Sequence, residues 1–146
     1  MLRGNYTARI DDKSRLKLPT AFRGLIEQEH GAHLYVTSVT GESVRIYPMP
    51  VWVSIEAKLA RMPSSHPVRK RFFDRVSYFG QAAEFDGQGR VLIHPRLRES
   101  AGMVADVDVL GMYDFLEVWN HDRFLAKLQR EPFTDDDART LAESGI

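Results

Sequence analysis

The chain has 146 residues and no cysteine; 43% of it is hydrophobic and 27% charged, with 20 basic side chains against 20 acidic ones. That composition excludes a disordered chain, a disulfide framework and a thiolate zinc site, and a net charge of zero excludes a uniformly cationic nucleic-acid binder. No stretch is apolar for long enough to span a bilayer and the N-terminus lacks the apolar core of a signal peptide, so one compact, soluble, cytoplasmic unit is expected.

In chain order, Tyr6, Ala8 and Ile10 alternate with Asn5, Thr7 and Arg9, the pattern of a half-buried strand. Asp11 to Ser14 is turn-forming. Arg15 to Leu18 alternates again, with Leu16 and Leu18 inward and Arg15 and Lys17 outward. Pro19 suits the first turn of a helix; Phe22, Leu25 and Ile26 recur at helical spacing, and Gly31 ends that run. Residues 33–39 and 43–47 read as a hairpin around Thr40-Gly41-Glu42. Val51, Trp52, Ile55, Leu59 and Met62 fit an amphipathic helix, and residues 63–67 break the chain. A further helix sets Val68, Phe72, Phe73, Val76 and Phe79 on one face and Arg69, Lys70, Arg71 and Arg75 on the other.

The plan then repeats. Residues 82–85 and 90–93 are strands around a turn at Asp86–Gly89, and Pro95 to Gly102 is a short helix. Residues 107–110 and 115–119 flank Met112-Tyr113-Asp114, and Asn120 caps a helix carrying Phe124, Leu125 and Leu128. Asp11, Arg15 and Arg23 recur 75 positions later as Asp86, Arg90 and Arg98; past the shorter hairpin the offset falls to 72, so that Tyr47 answers Trp119 and Trp52 answers Phe124. This is an internal duplication. It predicts an α+β fold of two ββαββα-like repeats with peripheral helices. Residues 1–62 hold the first repeat and its following helix, 63–80 a linker with a helix, 81–130 the second repeat, and 131–146 an acidic terminal helix. Thr134 starts that helix, with Asp135 to Asp137 at its positive end.

Charge divides along the chain. Residues 1–23 carry Arg3, Arg9, Lys13, Arg15, Lys17 and Arg23 against Asp11 and Asp12, while the segment from Glu131 is acidic. Enzyme chemistry finds no support. Gly87-Gln88-Gly89 lacks the third glycine of a dinucleotide fingerprint and precedes a strand, no nucleophile elbow or Walker loop occurs, and the five histidines form no ligand motif. No cofactor, metal or small-molecule substrate is expected; a small hydrolase built on Asp86 or His94 is the weakest rival. The repeated turn admits two readings. In one, Asp11 and Asp86 hold tight turns and Arg15 and Arg90 merely pair with them. In the other, the outward cations of a two-stranded element enter a DNA major groove. The second copy is less basic there, since Glu84 replaces Arg9 and Leu92 replaces Lys17, so that one copy binds and the other builds.

At these residues the chain resembles the MraZ family of AbrB-like, swapped-hairpin transcription factors. The resemblance runs from Arg3-Gly4-Asn5-Tyr6 through Asp11-x-x-x-Arg15-Leu-x-Leu-Pro-x-x-Phe-Arg23, Tyr47-Pro48 and Trp52. It continues through Asp86-x-x-Gly-Arg90-x-Leu-Ile-x-Pro-x-Leu-Arg98, Ala101-Gly102, Gly111 and Val118-Trp119 to about residue 128. It implies a pseudo-twofold β-barrel (a double-split barrel) made by interleaving the two repeats, and a ring-shaped homo-oligomer. It also implies binding of double-stranded DNA at tandem G-rich repeats in the chain's own operon promoter, upstream of division and cell-wall genes, with repression as the outcome and nucleoid association. Arg15 leads the DNA-binding residues, with Lys13, Arg9, Lys17, Arg3, Arg23 and Arg90 in support; Asp11, Asp86 and Gly89 shape the turns. Two residues depart from the family. Ser14 stands where glycine is usual, which strains a turn that needs positive φ, and His94 stands for proline, which is expected to loosen the junction between strand and helix. The rival in another class is an oligomeric protein-interaction scaffold, served by an exposed Phe72-Phe73 region.

Overall fold

The computed structural model describes residues 1–146. Asn5–Arg9 form β1 and Arg15–Lys17 form β2, followed by α1 (Thr20–His30), β3 (His33–Thr37), β4 (Val44–Pro48) and α2 (Met49–Ala60). α3 (Pro67–Tyr78) leads to β5 (Gln81–Glu84), β6 (Arg90–Leu92), α4 (Pro95–Ala101), β7 (Asp106–Gly111), β8 (Leu116–Asn120) and α5 (His121–Arg130), and α6 (Asp135–Ala142) follows. The α+β class and the doubled order of elements match the sequence reading. So do the helix ends. Gly31 leaves α1 at φ 87°, and the Asn120 side chain accepts the Arg123 backbone N–H at 3.1 Å. Thr134 and Asp137 exchange side-chain and backbone hydrogen bonds in a capping box.

The two repeats exchange strands. The main sheet runs β1-β7-β8-β4-β3-β5, so each repeat's first strand lies on the other repeat's third, and β2 pairs with β6 in a separate ribbon. Register gives the symmetry. β4 and β8 match Val44 with Val118 and Ile46 with Leu116 around the pair Arg45–Glu117. The ribbon matches Arg15 with Leu92 and Lys17 with Arg90 around Leu16–Val91. A pseudo-twofold axis therefore passes through those two central pairs.

Strand alternation builds one core on each side of the sheet. On the ribbon side, Leu34, Val36, Val44, Ile46, Val107, Val109, Leu116 and Val118 meet Leu16, Leu18, Val91 and Ile93, closed by Phe22 and Ile26 of α1 and Leu97 and Ala101 of α4. On the far side Tyr47, Trp52 and Val76 are buried beneath α2 and α3. The Tyr47–Trp52 ring pair (5.0 Å) is answered by Trp119–Phe124 (5.5 Å), as the 72-residue offset requires.

Three expectations need correction. The sheet does not close into a barrel: β1 and β5 remain edges, and β2 meets the first strand only through the Ile10–Leu16 bridge. β2 is only three residues long, too short to carry an extended ladder to the first strand along its other edge. Val68, expected on the apolar face of α3, is 52% exposed because it sits in the first turn, beyond the sheet. Leu125 and Leu128 of α5 are likewise exposed; of that helix's large apolar side chains only Phe124 is engaged, against Trp119.

Candidate nucleic-acid interface

The two turns are built alike. Asp11 Oδ1 accepts the backbone N–H groups of Lys13 (3.0 Å) and Arg15 (2.8 Å), and its Oδ2 accepts Arg15 Nε at 2.8 Å. Asp86 does the same with Gln88 (2.8 Å), Arg90 (2.9 Å) and Arg90 Nε (2.8 Å). Donors aimed at a carboxylate favour its ionised form. The Arg90 backbone N–H first, with those of Gln88 and the Arg90 side chain, holds Asp86 down to about 2. Asp11 is lowered too, chiefly by the Arg15 backbone N–H. A carboxylate depressed on folding stabilises the fold above its unfolded pKa, roughly 3.9. That contribution is lost as pH falls through the folded value. Wild-type thermal stability is therefore expected to fall between about pH 4 and pH 2, and Asp86→Asn to flatten that stretch of a midpoint-against-pH curve while lowering its plateau at neutral pH.

The Nε contact decides what Arg15 can do. It fixes the side chain and leaves both terminal nitrogens, Nη1 and Nη2, without a hydrogen-bond partner. One nitrogen of the guanidinium is therefore structural, and its fork is free. Alternation along the ribbon places Arg15, Lys17, Arg90 and the 53%-exposed Leu92 on the outer face, with Leu16 and Val91 turned inward. Lys17 lies directly opposite Arg90. β6 thus places Arg90 on the same outer face as the cations of β2. Lys13 is exposed at the tip of the first turn.

The remaining cations are placed differently. Arg9 faces Asp106 across the edge of the sheet at 3.7 Å, with most of its side chain in solvent. Arg3 lies beyond the opposite end of β1, beside the Leu2–Tyr113 bridge, about 20 Å from Arg9 along an extended chain. It does not join the ribbon face. Arg23 is held by Glu27 (2.7 Å) and lies over the Phe85 ring (5.7 Å), so it supports the second turn from behind.

Its counterpart was missed in the sequence. Arg98 Nη1 donates to the Asp11 carbonyl (2.7 Å) and to Ser14 Oγ (3.1 Å), and its Nε donates to the Met103 carbonyl (3.1 Å). Each repeat's terminal arginine thus braces the other repeat's turn. The recurrence of Arg23 as Arg98 was the available signal.

The departures also resolve. Ser14 has φ 64° and Gly89 φ 76°, so the strain expected at Ser14 is present, and the Arg98 bond to its hydroxyl offsets part of it. At Gly89 a Cβ would meet Arg23 Nη1 at 2.7 Å. Gly89→Ala is expected to cost about 1–2 kcal/mol, mostly from the left-handed backbone, and Ser14→Gly to change stability by less than about 1 kcal/mol; chemical denaturation measures both. The loosening expected at His94 is absent. His94 and Pro19 share one backbone conformation (φ −54°, ψ 137° and 135°), and His94 Nδ1 additionally accepts the Arg96 N–H at 3.1 Å, capping α4.

Fold and site together define a class: an internally duplicated α+β protein whose halves exchange strands and share one cationic two-stranded ribbon on the pseudo-twofold axis. A family model described as "MraZ protein, putative antitoxin-like" matches residues 1–75 and 80–143. The "Transcriptional regulator MraZ" of Acidobacterium capsulatum is 45% identical over 146 residues, with both chains covered in full. That of Koribacter versatilis is 44% identical over 147 residues, again over the whole of both. A relative of the same name from Salmonella paratyphi B is 32% identical, over 98% of this chain and 95% of its own. The chain belongs to the MraZ family, and the names of these relatives place it among transcriptional regulators, not enzymes.

Proposed function

We propose that this chain regulates transcription by binding double-stranded DNA in a sequence-specific way, with the β2–β6 ribbon entering the major groove. The observation that carries this is the Arg15 guanidinium: fixed at Nε by Asp11, it offers a free fork from a ribbon narrow enough for the groove. A fork of two N–H donors matches the O6 and N7 acceptors of guanine. Lys13, Lys17 and Arg90 add charge on the same face and Arg23 positions the second turn, while Arg9 and Arg3, at the two ends of β1, are left for contacts beyond the ribbon.

The finer reading follows the family resemblance. Its elements are a ring of AbrB-like subunits organised as residues 1–62, 63–80, 81–130 and 131–146, tandem G-rich repeats in the chain's own promoter, repression of division and cell-wall genes, and a nucleoid location. A ring favours tandem sites because each tethered contact raises the effective concentration of the next. The scaffold alternative loses its chief support, since Phe72 and Phe73 pack onto the Trp52 cluster instead of standing exposed. Gel shift with the duplex upstream of this reading frame tests the proposal. Retardation of that duplex at a protein concentration that leaves a scrambled duplex free supports it, and equal retardation of both overturns it.

A further inference from the structure

The two turns of the ribbon match in sequence and differ in how they are held. Arg15 stands within ion-pair reach of one acid, Asp11 at 2.8 Å, whereas Arg90 has two, Asp86 at 2.8 Å and Asp11 at 3.9 Å. The Arg15 fork is therefore the less neutralised of the pair. Its turn also carries left-handed backbone at a residue with a side chain, Ser14 at φ 64°, and such a turn keeps its shape only where its surroundings hold it. What holds it comes from the other repeat. Leu97 and Ala101 are buried in the larger core and anchor α4 there. Between them, Arg98 gives its Nε to the carbonyl of buried Met103 at 3.1 Å. Its Nη1 crosses to the Asp11 carbonyl (2.7 Å) and the Ser14 hydroxyl (3.1 Å). That same Asp11 carbonyl closes the turn by accepting the Ser14 N–H at 3.1 Å. The second turn is not held in this way: Gly89 has no hydroxyl, and Arg23 gives its Nε to Glu27 and lies over the Phe85 ring without a hydrogen bond to Asp86.

We propose that Arg98 is a positioning residue for sequence reading: from the second repeat it fixes the first turn, and so aims the Arg15 fork at a guanine edge. This inference rests on the ribbon reading. An unbroken line of hydrogen bonds runs from the core to the fork, through the Met103 carbonyl, Arg98, Asp11 and Arg15 Nε. Two N–H donors must meet O6 and N7 of the base together, and a misalignment beyond about 10–20° spoils such a constellation. Without Arg98 the turn is free to relax away from the left-handed backbone at Ser14, and Asp11 carries Arg15 with it. Charge is not the means. Arg98 spends Nε and Nη1 on the protein's own acceptors, so it acts through Arg15 and touches no base.

The test compares wild type, Arg98→Met, Arg98→Lys, Arg15→Ala and the Arg15→Ala/Arg98→Met double variant by fluorescence anisotropy on promoter and scrambled duplexes over a salt series. Each protein is measured below its own melting midpoint. Arg98→Met is expected to lose about fivefold in affinity for the promoter, part of the worth of a bidentate base contact. Its affinity for the scrambled duplex and its slope of log affinity against log salt should stay as in wild type. Arg98→Lys, which keeps the charge and one donor group, should lose about twofold. In the Arg15→Ala background, Arg98→Met should cost no further promoter affinity, because the group it aims is gone. A folded Arg98 variant of either kind with the wild-type preference overturns the inference and leaves the ribbon reading standing, reducing Arg98 to a stabilising contact. So does a salt slope smaller by about 1, which would make Arg98 a phosphate contact, and so does a loss that adds in full to that of Arg15→Ala. A wild type that binds neither duplex, or both alike, overturns both.

Discussion

Arg15→Ala is expected to abolish discrimination of promoter from scrambled duplex while leaving the far-ultraviolet spectrum, assembly and melting cooperativity as in wild type. A bidentate contact to one guanine is worth about 1–3 kcal/mol of discrimination. If the protein engages tandem sites as the proposed ring, that loss recurs at each engaged subunit, and the measured drop then exceeds the single-site value. The fold survives because the first turn does not depend on the guanidinium. Asp11 still accepts the backbone N–H groups of Lys13 and of residue 15, and Arg98 still braces the turn from behind. Arg15→Lys separates charge from shape. It keeps the positive charge for phosphates and loses the planar fork, so it should retain much of the salt-dependent binding and little of the sequence preference. If Arg15→Ala selects its promoter as well as wild type does, the ribbon is not the reading element.

How far the sequence carried depended on whether a feature was local. Strand alternation, helix caps and the duplicated Asp-to-Arg turns are set by residues a few positions apart, and each appears where it was expected. Even the 72-residue offset survives as two matched aromatic pairs. Exchange of strands between repeats is different, since nothing within residues 5–17 says that β1 will ladder with β7 or β2 with β6. For that reason Arg90 seemed to belong to a separate, weaker copy, when register places it opposite Lys17. The cross-repeat contacts of Arg23 and Arg98 were hidden for the same cause, since each is claimed by the turn of the other repeat. Barrel closure came from the family resemblance alone, and a three-residue β2 cannot supply it.

Leu16→Ala, one position along from Arg15, should give the opposite profile. Leu16 is 1% exposed and meets Val91 on the pseudo-axis, where the ribbon seals the larger core. Removing its branched end there leaves a void that the four-stranded centre of the sheet cannot collapse to fill, at a cost of about 2–5 kcal/mol. That is a large share of the roughly 5–15 kcal/mol by which domains are stable, and for a chain of this size it lowers the midpoint by about 6–15 °C. Lys17→Ala, on the outer face of the same strand, should leave the midpoint within about 1–2 °C. Below the lowered midpoint, folded Leu16→Ala still presents the Arg15 fork and should keep its preference for promoter DNA. Because Leu16 and Val91 are direct partners across the axis, the double variant with Val91→Ala should depart from additivity by about 0.5 kcal/mol or more. Strictly additive losses would mean that the two repeats do not share this joint, and the common outer face of Arg15, Lys17 and Arg90 would go with it.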